Sequence, residues 1–341
     1  MKKNIRELDL NKMVLEYKQP LFRAKQLYRW FWKKSVQSFD QIINIPNNFK
    51  DQLESDFFLP YTTIQNTILS NDGTIKFLFK LSDGLVCEGV LIPQDQRFTA
   101  CISSQVGCSL SCQFCATGKM KRARNILASE IFDQVFLIMQ ECKKVYGKNL
   151  TNIVYMGMGE PFLNYINVIK SIEYITNKEG LDFSKRRITL STVGISKMIK
   201  KFAEENTGVH LAISLHAACD KKRNQIMAIN ETNNLKLLEE ALKYYHEKTQ
   251  KKVTYEYVML NEVNDSITDA KNLVQFCKII PSKVNLIEFN LVDGINFKKS
   301  NSSRTQKFMQ LLKESGIIVN LRKSRGEDVG AACGQLVINK L

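Results

Sequence analysis

The sequence lacks the features that would direct a chain out of the cytoplasm. No run of apolar residues approaches the roughly 20 needed to cross a membrane, and no signal peptide stands at the amino terminus. The nine cysteines are clustered in one loop and otherwise scattered, unlike the disulfide framework of a small secreted protein. We therefore expect a protein of the reducing cytoplasm that makes no membrane contact.

Acidic residues are also scarce: 34 Asp and Glu stand against 49 Lys and Arg, which gives a net charge of +15. Basic side chains gain affinity for nucleic acid by releasing counterions from phosphates, so a nucleic-acid partner is expected. A lysine-rich proteome would produce the same excess. Position favours nucleic acid, because many basic residues follow the cysteine-rich loop or lie beside predicted strand ends. They are Lys119, Lys121, Arg122, Arg124, Lys185, Arg186, Arg187, Lys221, Lys222, Arg223, Arg322, Lys323 and Arg325.

Cys108, Cys112 and Cys115 place three thiols in one short loop, with no obvious fourth cysteine nearby. A 4Fe-4S cube normally takes four cysteines, so this motif leaves one iron open for another ligand. The alternative is a tetrahedral zinc site, which needs a fourth ligand at a matching offset. We therefore predict a 4Fe-4S cluster, one per subunit. The spacing resembles that of the radical S-adenosylmethionine (SAM) superfamily.

The 341 residues, 44% of them apolar, suffice for one large domain and a small accessory one. Residues 1–60 carry two apolar helical stripes and are predicted to form a helical, RNA-binding accessory domain. The aromatic run Tyr28 to Trp32 could stack on bases, but its helical spacing favours core packing. Residues 61–93 alternate with period two around Asn71-Asp72-Gly73 and Ser82-Asp83-Gly84, which predicts a linking β-hairpin.

Residues 94–341 alternate apolar strands with amphipathic helices, which indicates a parallel sheet. Six such repeats fall short of the eight in a closed barrel. The predicted fold class is therefore α/β, a partial six-stranded barrel that ends with one further strand and a short tail. The strands are expected near 98–104, 152–158, 187–192, 209–214, 253–260 and 283–290, and the last near 316–322.

Polar residues fall where these strands end, which is where barrel enzymes carry their sites. Each has an ordinary interpretation taken alone, since Gly-Met-Gly forms turns, Ser191 could cap a helix and His216 could be structural. Together they predict a cofactor pocket. Its residues are Gly157, Gly159, Glu160, Ser191, Ser214, Leu215, His216 and Asn290.

Several runs together resemble the RlmN family of RNA methyltransferases, over nearly the whole chain. Their order and spacing carry the resemblance. The runs are Phe-Arg-Ala-Lys-Gln from Phe22, Cys-Ile-Ser-Ser-Gln-Val-Gly-Cys from Cys101, Gly-Met-Gly-Glu-Pro-Phe-Leu-Asn from Gly157, Ala-Ile-Ser-Leu-His-Ala from Ala212, Val-Asn-Leu-Ile from Val284 and Ala-Ala-Cys-Gly-Gln-Leu from Ala331.

The resemblance implies methylation of C2 of adenosine 2503 in 23S rRNA and of adenosine 37 in some tRNAs. It implies two SAM molecules per turnover, bound with Gly159 and Glu160 at the amino end and the other pocket residues at the ribose, adenine or carboxylate. The expected partners are 23S rRNA, tRNA and an electron donor such as flavodoxin or ferredoxin. The chain is expected to act as a monomer.

The resemblance also gives roles to three residues outside the pocket. Cys333 would first be methylated by one SAM, and a deoxyadenosyl radical from the second would then convert the methyl to a methylene radical that adds to C2. Cys101 would release the product by attacking the Cys333 sulfur and leaving a disulfide, and Glu88 would accept the proton. Taken alone, such cysteines are more often buried hydrophobes, and Glu88 would be a solvent-facing strand residue. Cys87, Cys142, Cys219 and Cys277 are interpreted as packing residues.

The sequence departs from the usual pattern of the RlmN family at two positions, and two other functions compete with the one that the resemblance implies. Asp328 is followed by Val329 and Gly330 where the family usually has a carboxylate beside the Ala-Ala-Cys-Gly run, and Ala228 replaces a proline. One alternative is a Cfr-type enzyme that methylates C8 of the same adenosine, against which Pro161 argues. The other is a non-catalytic iron-sulfur RNA-binding factor, against which the presence of both Cys101 and Cys333 argues.

Overall fold

The computed structural model describes residues 2–338, and most of its strands belong to one large sheet. The strands of the described chain are β1 Lys3–Asn4, β2 Phe57–Phe58, β3 Thr63–Leu69, β4 Ile75–Lys80, β5 Val86–Gln94, β6 Arg97–Cys101, β7 Gln105–Val106, β8 Arg124–Asn125, β9 Asn152–Tyr155, β10 Ile188–Thr192, β11 His210–Ser214, β12 Val253–Met259, β13 Ser282–Glu288 and β14 Ile318–Arg322.

From β6 to β14, helices connect the successive parallel strands. Their bounds are α1 Leu10–Glu16, α2 Phe22–Trp32, α3 Asn47–Asp56, α4 Ala128–Tyr146, α5 Tyr165–Thr176, α6 Ser196–Glu205, α7 Asp220–Ile226, α8 Leu235–Thr249, α9 Ile267–Cys277 and α10 Ser302–Glu314. Within residues 2–338, no helix is long and apolar enough to cross a membrane.

The sheet runs in the order β3-β4-β5-β6-β9-β10-β11-β12-β13-β14. Strands β6 and β9 to β14 are mutually parallel, and β3 and β14 form its two edges. An open parallel sheet whose strands are joined by helices is the predicted partial α/β barrel, which the structure confirms. The predicted strands coincide with β6 and β9 to β14, although β6 and β9 end at Cys101 and Tyr155, earlier than expected.

The predicted hairpin corresponds to β4 and β5, and it lies within a longer antiparallel extension of the barrel sheet. Strand β6 pairs antiparallel with β5 and parallel with β9, so hydrogen bonds run without interruption from the extension into the barrel. The strands on either side of the β3–β4 turn therefore belong to the same sheet as the parallel strands whose ends carry the predicted pocket. The domain boundaries at residues 60 and 93 stay predictions.

The amino-terminal helices pack on α4 and α5 of the barrel. Trp32 stacks on Tyr174 at 3.6 Å between ring centroids and meets Phe132 edge-on. The guanidinium of Arg6 lies 4.4 Å over the Trp32 ring and binds both carboxylate oxygens of Asp133 at 2.8 and 2.9 Å. Burial of Trp32 confirms that this aromatic serves core packing.

Candidate active site

The three cysteines of the motif lie together in the loop between β7 and β8. Burial raises the pKa of the Cys112 thiol well above its ordinary value, and the charges of Cys115 and Cys108 raise it further. Burial likewise raises the pKa of Cys108 to about 11, with a contribution from the Cys115 charge. Three close thiols whose charged forms repel one another require a bound cation to stay ionised.

This loop is tightly built and fits an iron cluster. A Cβ on Gly118 would lie 2.7 Å from the carbonyl oxygen of Cys112, so only glycine permits the turn. Within residues 2–338, no three His, Cys, Asp or Glu side chains are close enough to enclose a single metal ion. A four-iron cube, by contrast, takes its thiolates at separate corners, and soft thiolates are the donors that iron-sulfur clusters use.

Glu160 lies in the predicted pocket and is almost completely buried. One of its carboxylate oxygens accepts a hydrogen bond from the backbone N–H of Phe162, and the other accepts one from Val193, both at 2.9 Å. Burial raises the pKa of Glu160 to about 7 in spite of these bonds. Within residues 2–338 this carboxylate forms no ion pair, which suits an ammonium group of a ligand.

The glycines before Glu160 allow this segment to pack against the start of β7. Gly159 has φ +94°, and a Cβ there would lie 2.4 Å from Cβ of Gln105. Gln105 in turn accepts a hydrogen bond from the backbone N–H of Glu160 at 2.9 Å. A larger residue at 159 would therefore displace the Glu160 carboxylate.

Ser191 and Ser214 meet across β10 and β11, with 3.3 Å between their hydroxyl oxygens. His216 follows on the same side, in the left-handed region at φ +58°. Its Nδ1 accepts a hydrogen bond from the Val258 N–H at 3.1 Å. Burial lowers the pKa of His216 to about 3, helped by the charge of Arg223. The ring is therefore neutral and fixed.

One pocket prediction differs in detail from the structure, and one residue beside the pocket was not predicted. The Leu215 side chain packs inside the hydrophobic core, so only its backbone is available at the pocket. Phe114 of the cysteine loop packs edge-on against His216, with 4.7 Å between ring centroids. This contact joins the pocket to the cysteine loop. The sequence does not indicate it, because Phe114 belongs to no polar motif.

Cys333 lies in the segment that follows β14 and is exposed. Its carbonyl oxygen accepts a hydrogen bond from the Asn290 amide at 3.1 Å. Downstream, the Gly334 carbonyl accepts one from the backbone N–H of Ala116 at 2.7 Å, and the Leu336 carbonyl accepts one from the Thr117 hydroxyl at 2.6 Å. The segment is thus tied to the cysteine loop.

Cys101, the last residue of β6, lies near Cys333. Burial raises the pKa of the Cys101 thiol to about 12, and the charge of Cys333 contributes to the rise. The charge of Cys333 also raises the pKa of Cys115 in the cysteine loop, although burial is the main cause. Cys333 therefore lies within electrostatic range of both the motif cysteines and Cys101.

Glu88 is buried on β5, so its interpretation as a solvent-facing residue is wrong. One carboxylate oxygen pairs with Lys76 at 2.8 Å, and the other accepts a hydrogen bond from the Val337 N–H at 2.9 Å. Burial raises the pKa of Glu88, which the Lys76 pair opposes. Glu88 thus contacts the segment that carries Cys333.

Two arginines proposed as RNA contacts have other surroundings. Arg223 is fully buried and donates to the carbonyl oxygens of Val193 and Leu215, so its interpretation as an RNA contact is wrong. Arg322 ends β14, where burial lowers its pKa but the charges of Cys333, Glu256 and Cys101 outweigh this and raise it. Its position at a strand end was the signal for a role in the site.

The comparisons with known proteins cover the whole chain. Residues 102–274 match the family model of the radical SAM superfamily, and residues 3–59 match that of the ribosomal RNA large subunit methyltransferase N-terminal domain. The chain is 50% identical to a probable dual-specificity RNA methyltransferase RlmN of Cytophaga hutchinsonii, covering 100% of this chain and 94% of that protein.

Other relatives agree. A probable dual-specificity RNA methyltransferase RlmN of Christiangramia forsetii is 48% identical, over 98% of this chain and 96% of that protein. The crystal structure of a radical SAM methyltransferase from Sphaerobacter thermophilus superposes with a TM-score of 0.91 at 36% identity, over 98% and 99% of the two chains. The cofactors are a 4Fe-4S cluster and SAM, as predicted. The chain belongs to the RlmN family of radical SAM methyltransferases.

Proposed function

We propose that this enzyme methylates C2 of adenosine 2503 in 23S rRNA and of adenosine 37 in some tRNAs. The observation that carries the proposal is the position of Cys333, whose segment is hydrogen-bonded to the cysteine loop and which lies within electrostatic range of Cys101. A carbon as inert as C2 of adenine needs radical chemistry, and a carrier that delivers a methyl must reach both the cofactor and a second thiol. Cys333 meets both requirements.

Cys108, Cys112 and Cys115 would hold the cluster, and Glu160 with the strand-end residues would bind SAM. SAM bound at the cluster supplies the methyl and, on reduction, a carbon-centred radical. Glu160 would orient the amino end of the cofactor, because its buried carboxylate has no cationic partner in the described part of the chain. The cysteine loop contacts the pocket through Phe114 and His216.

Cys333 would accept a methyl on its sulfur and form the bond to C2 through that carbon. Glu88 would take the proton from C2, because burial raises its pKa. In the same step the adduct would give back the one electron that radical formation took up, which restores the aromatic ring. Cys101 would then attack the Cys333 sulfur, so that an S–S bond forms as the S–C bond breaks. The released electron pair stays on the methylene carbon, which takes a proton and becomes the methyl group.

Release of product leaves Cys101 and Cys333 as a disulfide, so each turnover requires a reductant for this disulfide, and radical formation requires one electron to start. An electron donor such as flavodoxin or ferredoxin would supply the latter. The exposed Lys121 and Arg122, which follow the cysteine loop, and the amino-terminal helices are the surfaces proposed to contact RNA. We propose that the protein acts as a monomer.

Nucleoside mass spectrometry of rRNA and tRNA tests the function directly. Cells that express the chain should contain 2-methyladenosine in both RNAs, and cells that express Cys333→Ala in neither, because the carrier is missing. Cys142→Ala is the matched control, since this buried cysteine on α4 lies outside the site. Finding 8-methyladenosine would support the Cfr-type activity instead. Unmodified RNA with intact protein would support the binding factor.

A further inference from the structure

Two turns face each other beside the Cys333 segment: the β3–β4 turn, residues 70–74, and the segment 326–330. Asp328 reaches from the second turn to the first. One of its carboxylate oxygens accepts a hydrogen bond from the Ser70 hydroxyl at 2.6 Å, and the other accepts one from the backbone N–H of Asn71 at 3.0 Å. These pairs join residues more than 250 positions apart in the chain.

Asp72 makes the reciprocal contact. Its Oδ2 accepts a hydrogen bond from the backbone N–H of Gly326 at 3.0 Å. Its Oδ1 accepts a hydrogen bond from the Thr74 N–H at 2.9 Å, which holds the carboxylate in its own turn. The same oxygen lies 3.0 Å from the Ser70 hydroxyl oxygen, whose single proton goes to the closer Asp328. We call Asp72 and Asp328, with these contacts, the carboxylate clamp.

The two turns also pack directly on each other, with the Gly326 backbone against the Thr74 side chain. Gly326 has φ +67°, and a Cβ there would lie 2.8 Å from Cγ2 of Thr74 and 2.8 Å from Cβ of Ala331. No side chain fits at this position. The clamp therefore acts across a direct packing contact and not across a layer of solvent.

The clamp explains how the chain does without a carboxylate at position 330. A Cβ on Gly330 would lie 3.7 Å from Nζ of Lys76, so an acidic residue there could pair with that lysine. In this chain Lys76 pairs with Glu88, and Asp328 anchors the segment two residues earlier.

The clamp holds the upstream side of Cys333, and the cysteine loop holds the downstream side. Asp328 precedes Cys333 by five residues, while Gly334 and Leu336 bind Ala116 and Thr117. Hydrogen bonds from Ser70 and Asn71 lower the pKa of Asp328, so its carboxylate is charged at neutral pH. Because the segment is anchored on both sides of Cys333, the position of the Cys333 thiol relative to the cysteine loop is restricted.

We propose that Asp72 and Asp328 are positioning residues that keep the Cys333 thiol between the cysteine loop and Cys101. The inference rests on the proposed role of Cys333 as methyl carrier. Neither aspartate touches the cofactor site, so each acts through the segment alone. Loss of the clamp should leave iron content and SAM affinity unchanged while slowing the steps in which Cys333 must meet a partner.

The experiment uses the full-length, cluster-loaded protein after one round of RNA turnover and reduction of the resulting Cys101–Cys333 disulfide, which together leave Cys333 as an unmethylated thiol. Methylation of Cys333 on addition of SAM is followed by intact-mass spectrometry. For Asp328→Ala, the rate should fall about tenfold, since a charge-assisted hydrogen bond is worth roughly that factor. The affinity for SAM, measured by calorimetry, should stay unchanged.

A second readout measures position without the cofactor. In a glutathione redox buffer, the fraction of protein with a Cys101–Cys333 disulfide reports the effective concentration of one thiol at the other. This concentration should fall about threefold to tenfold in Asp328→Ala. The double variant Ser70→Ala with Asp328→Ala should add little to the single one, because both remove the same bond.

Asp9→Ala is the matched control. Asp9 is also exposed and accepts two backbone N–H bonds, from Asn11 and Lys12, but it caps α1 far from the segment. Wild-type methylation rate and disulfide fraction in the clamp variants would overturn the positioning role. If wild-type Cys333 is never methylated, the proposed function fails, while the disulfide readout still decides whether the clamp positions the thiol.

Discussion

The side-chain amide of Asn290 donates a hydrogen bond to the backbone carbonyl of Cys333 over 3.1 Å, and its carbonyl oxygen accepts one from the Ser324 hydroxyl. Asn290, which follows β13, therefore contacts the segment that carries Cys333 at two points, Ser324 and Cys333. The sequence predicts Asn290 as a cofactor ligand. The structure gives it a contact with the carrier segment that the motif alone does not reveal.

Replacing Asn290 with Ala removes both bonds, so we expect slower methylation of Cys333, by about tenfold for two lost hydrogen bonds. The rate is measured by intact-mass spectrometry after addition of SAM. Asn167→Ala is the control, because Asn167 bonds only its neighbour Asn164 at the start of α5. An unchanged rate in Asn290→Ala would show that the contact does not position Cys333.

Local patterns predict the parallel strands well, because apolar runs and helical periodicity are properties of neighbouring residues. They also place Glu160, Ser191 and Ser214 at strand ends. Contacts between distant turns leave no such trace, and the bond from Ser70 to Asp328 spans 258 residues. Local sequence patterns do not reveal the burial of a charged side chain either. The sequence alone therefore groups the buried Arg223 with the basic residues expected to contact RNA.

The departure at Ala228 has a simple local explanation. Ala228 is the first residue of a 3-10 turn that ends at Glu231. Proline is favoured at the first position of a helix because its missing N–H is not needed there, but alanine also fits. The sequence difference therefore preserves the turn.

Replacing Cys108 with Ala should abolish cluster binding, because each thiolate supplies one corner of the cube. Anaerobically purified wild type should contain about four irons per chain, measured by elemental analysis together with the visible absorption of the cluster. Cys277→Ala, at a buried cysteine on α9, should keep the full iron content. Full iron loading of Cys108→Ala would refute the ligand assignment.

The buried pair of Arg6 and Asp133 should be a main attachment of the amino-terminal helices. Asp133→Ala removes the carboxylate that pairs with the buried guanidinium of Arg6. It also removes the acceptor of a hydrogen bond from the Thr62 N–H at 3.1 Å. We expect a loss of about 3–5 kcal/mol in the free energy of unfolding, measured by urea titration. In Glu239→Ala, which breaks the exposed pair with Lys243, the loss should stay below about 0.5 kcal/mol.

Glu160 should make the stability of the cofactor-free protein depend on pH. Burial raises its pKa from 4.5 to about 7, so between these values the folded protein keeps a proton that the unfolded chain releases. The stability from this group is fully present below pH 4.5 and is lost as the pH rises through 7. The loss should amount to a few kcal/mol at most, at about 1.4 kcal/mol per unit.

Thermal melts of the cofactor-free protein between pH 5 and 8, on the order of half a unit apart, measure this slope. In Glu160→Gln, which cannot ionise, the decline with pH should be smaller than in wild type, whatever the overall change in stability. Glu239→Gln, at an exposed position, should reproduce the wild-type slope. Equal slopes in wild type and Glu160→Gln would contradict the raised pKa.

Cys101 supplies the most direct test of the covalent mechanism. Its thiol is buried with a pKa of about 12, so at rest it is protonated and unreactive, and it must lose its proton before it can attack Cys333. If Cys101 resolves the adduct, Cys101→Ala still methylates Cys333 and still attacks the base, but RNA then stays bound through Cys333.

A denaturing gel of Cys101→Ala should therefore show a slow, nuclease-sensitive band that wild type lacks. The control is Cys87→Ala, since Cys87 is a buried cysteine on the adjacent strand β5. If Cys101 only packs, its replacement lowers stability by at most a few kcal/mol and leaves turnover intact. Free 2-methyladenosine at the wild-type rate, with no trapped adduct, would then exclude a resolving role, because the product would have been released from Cys333 without Cys101.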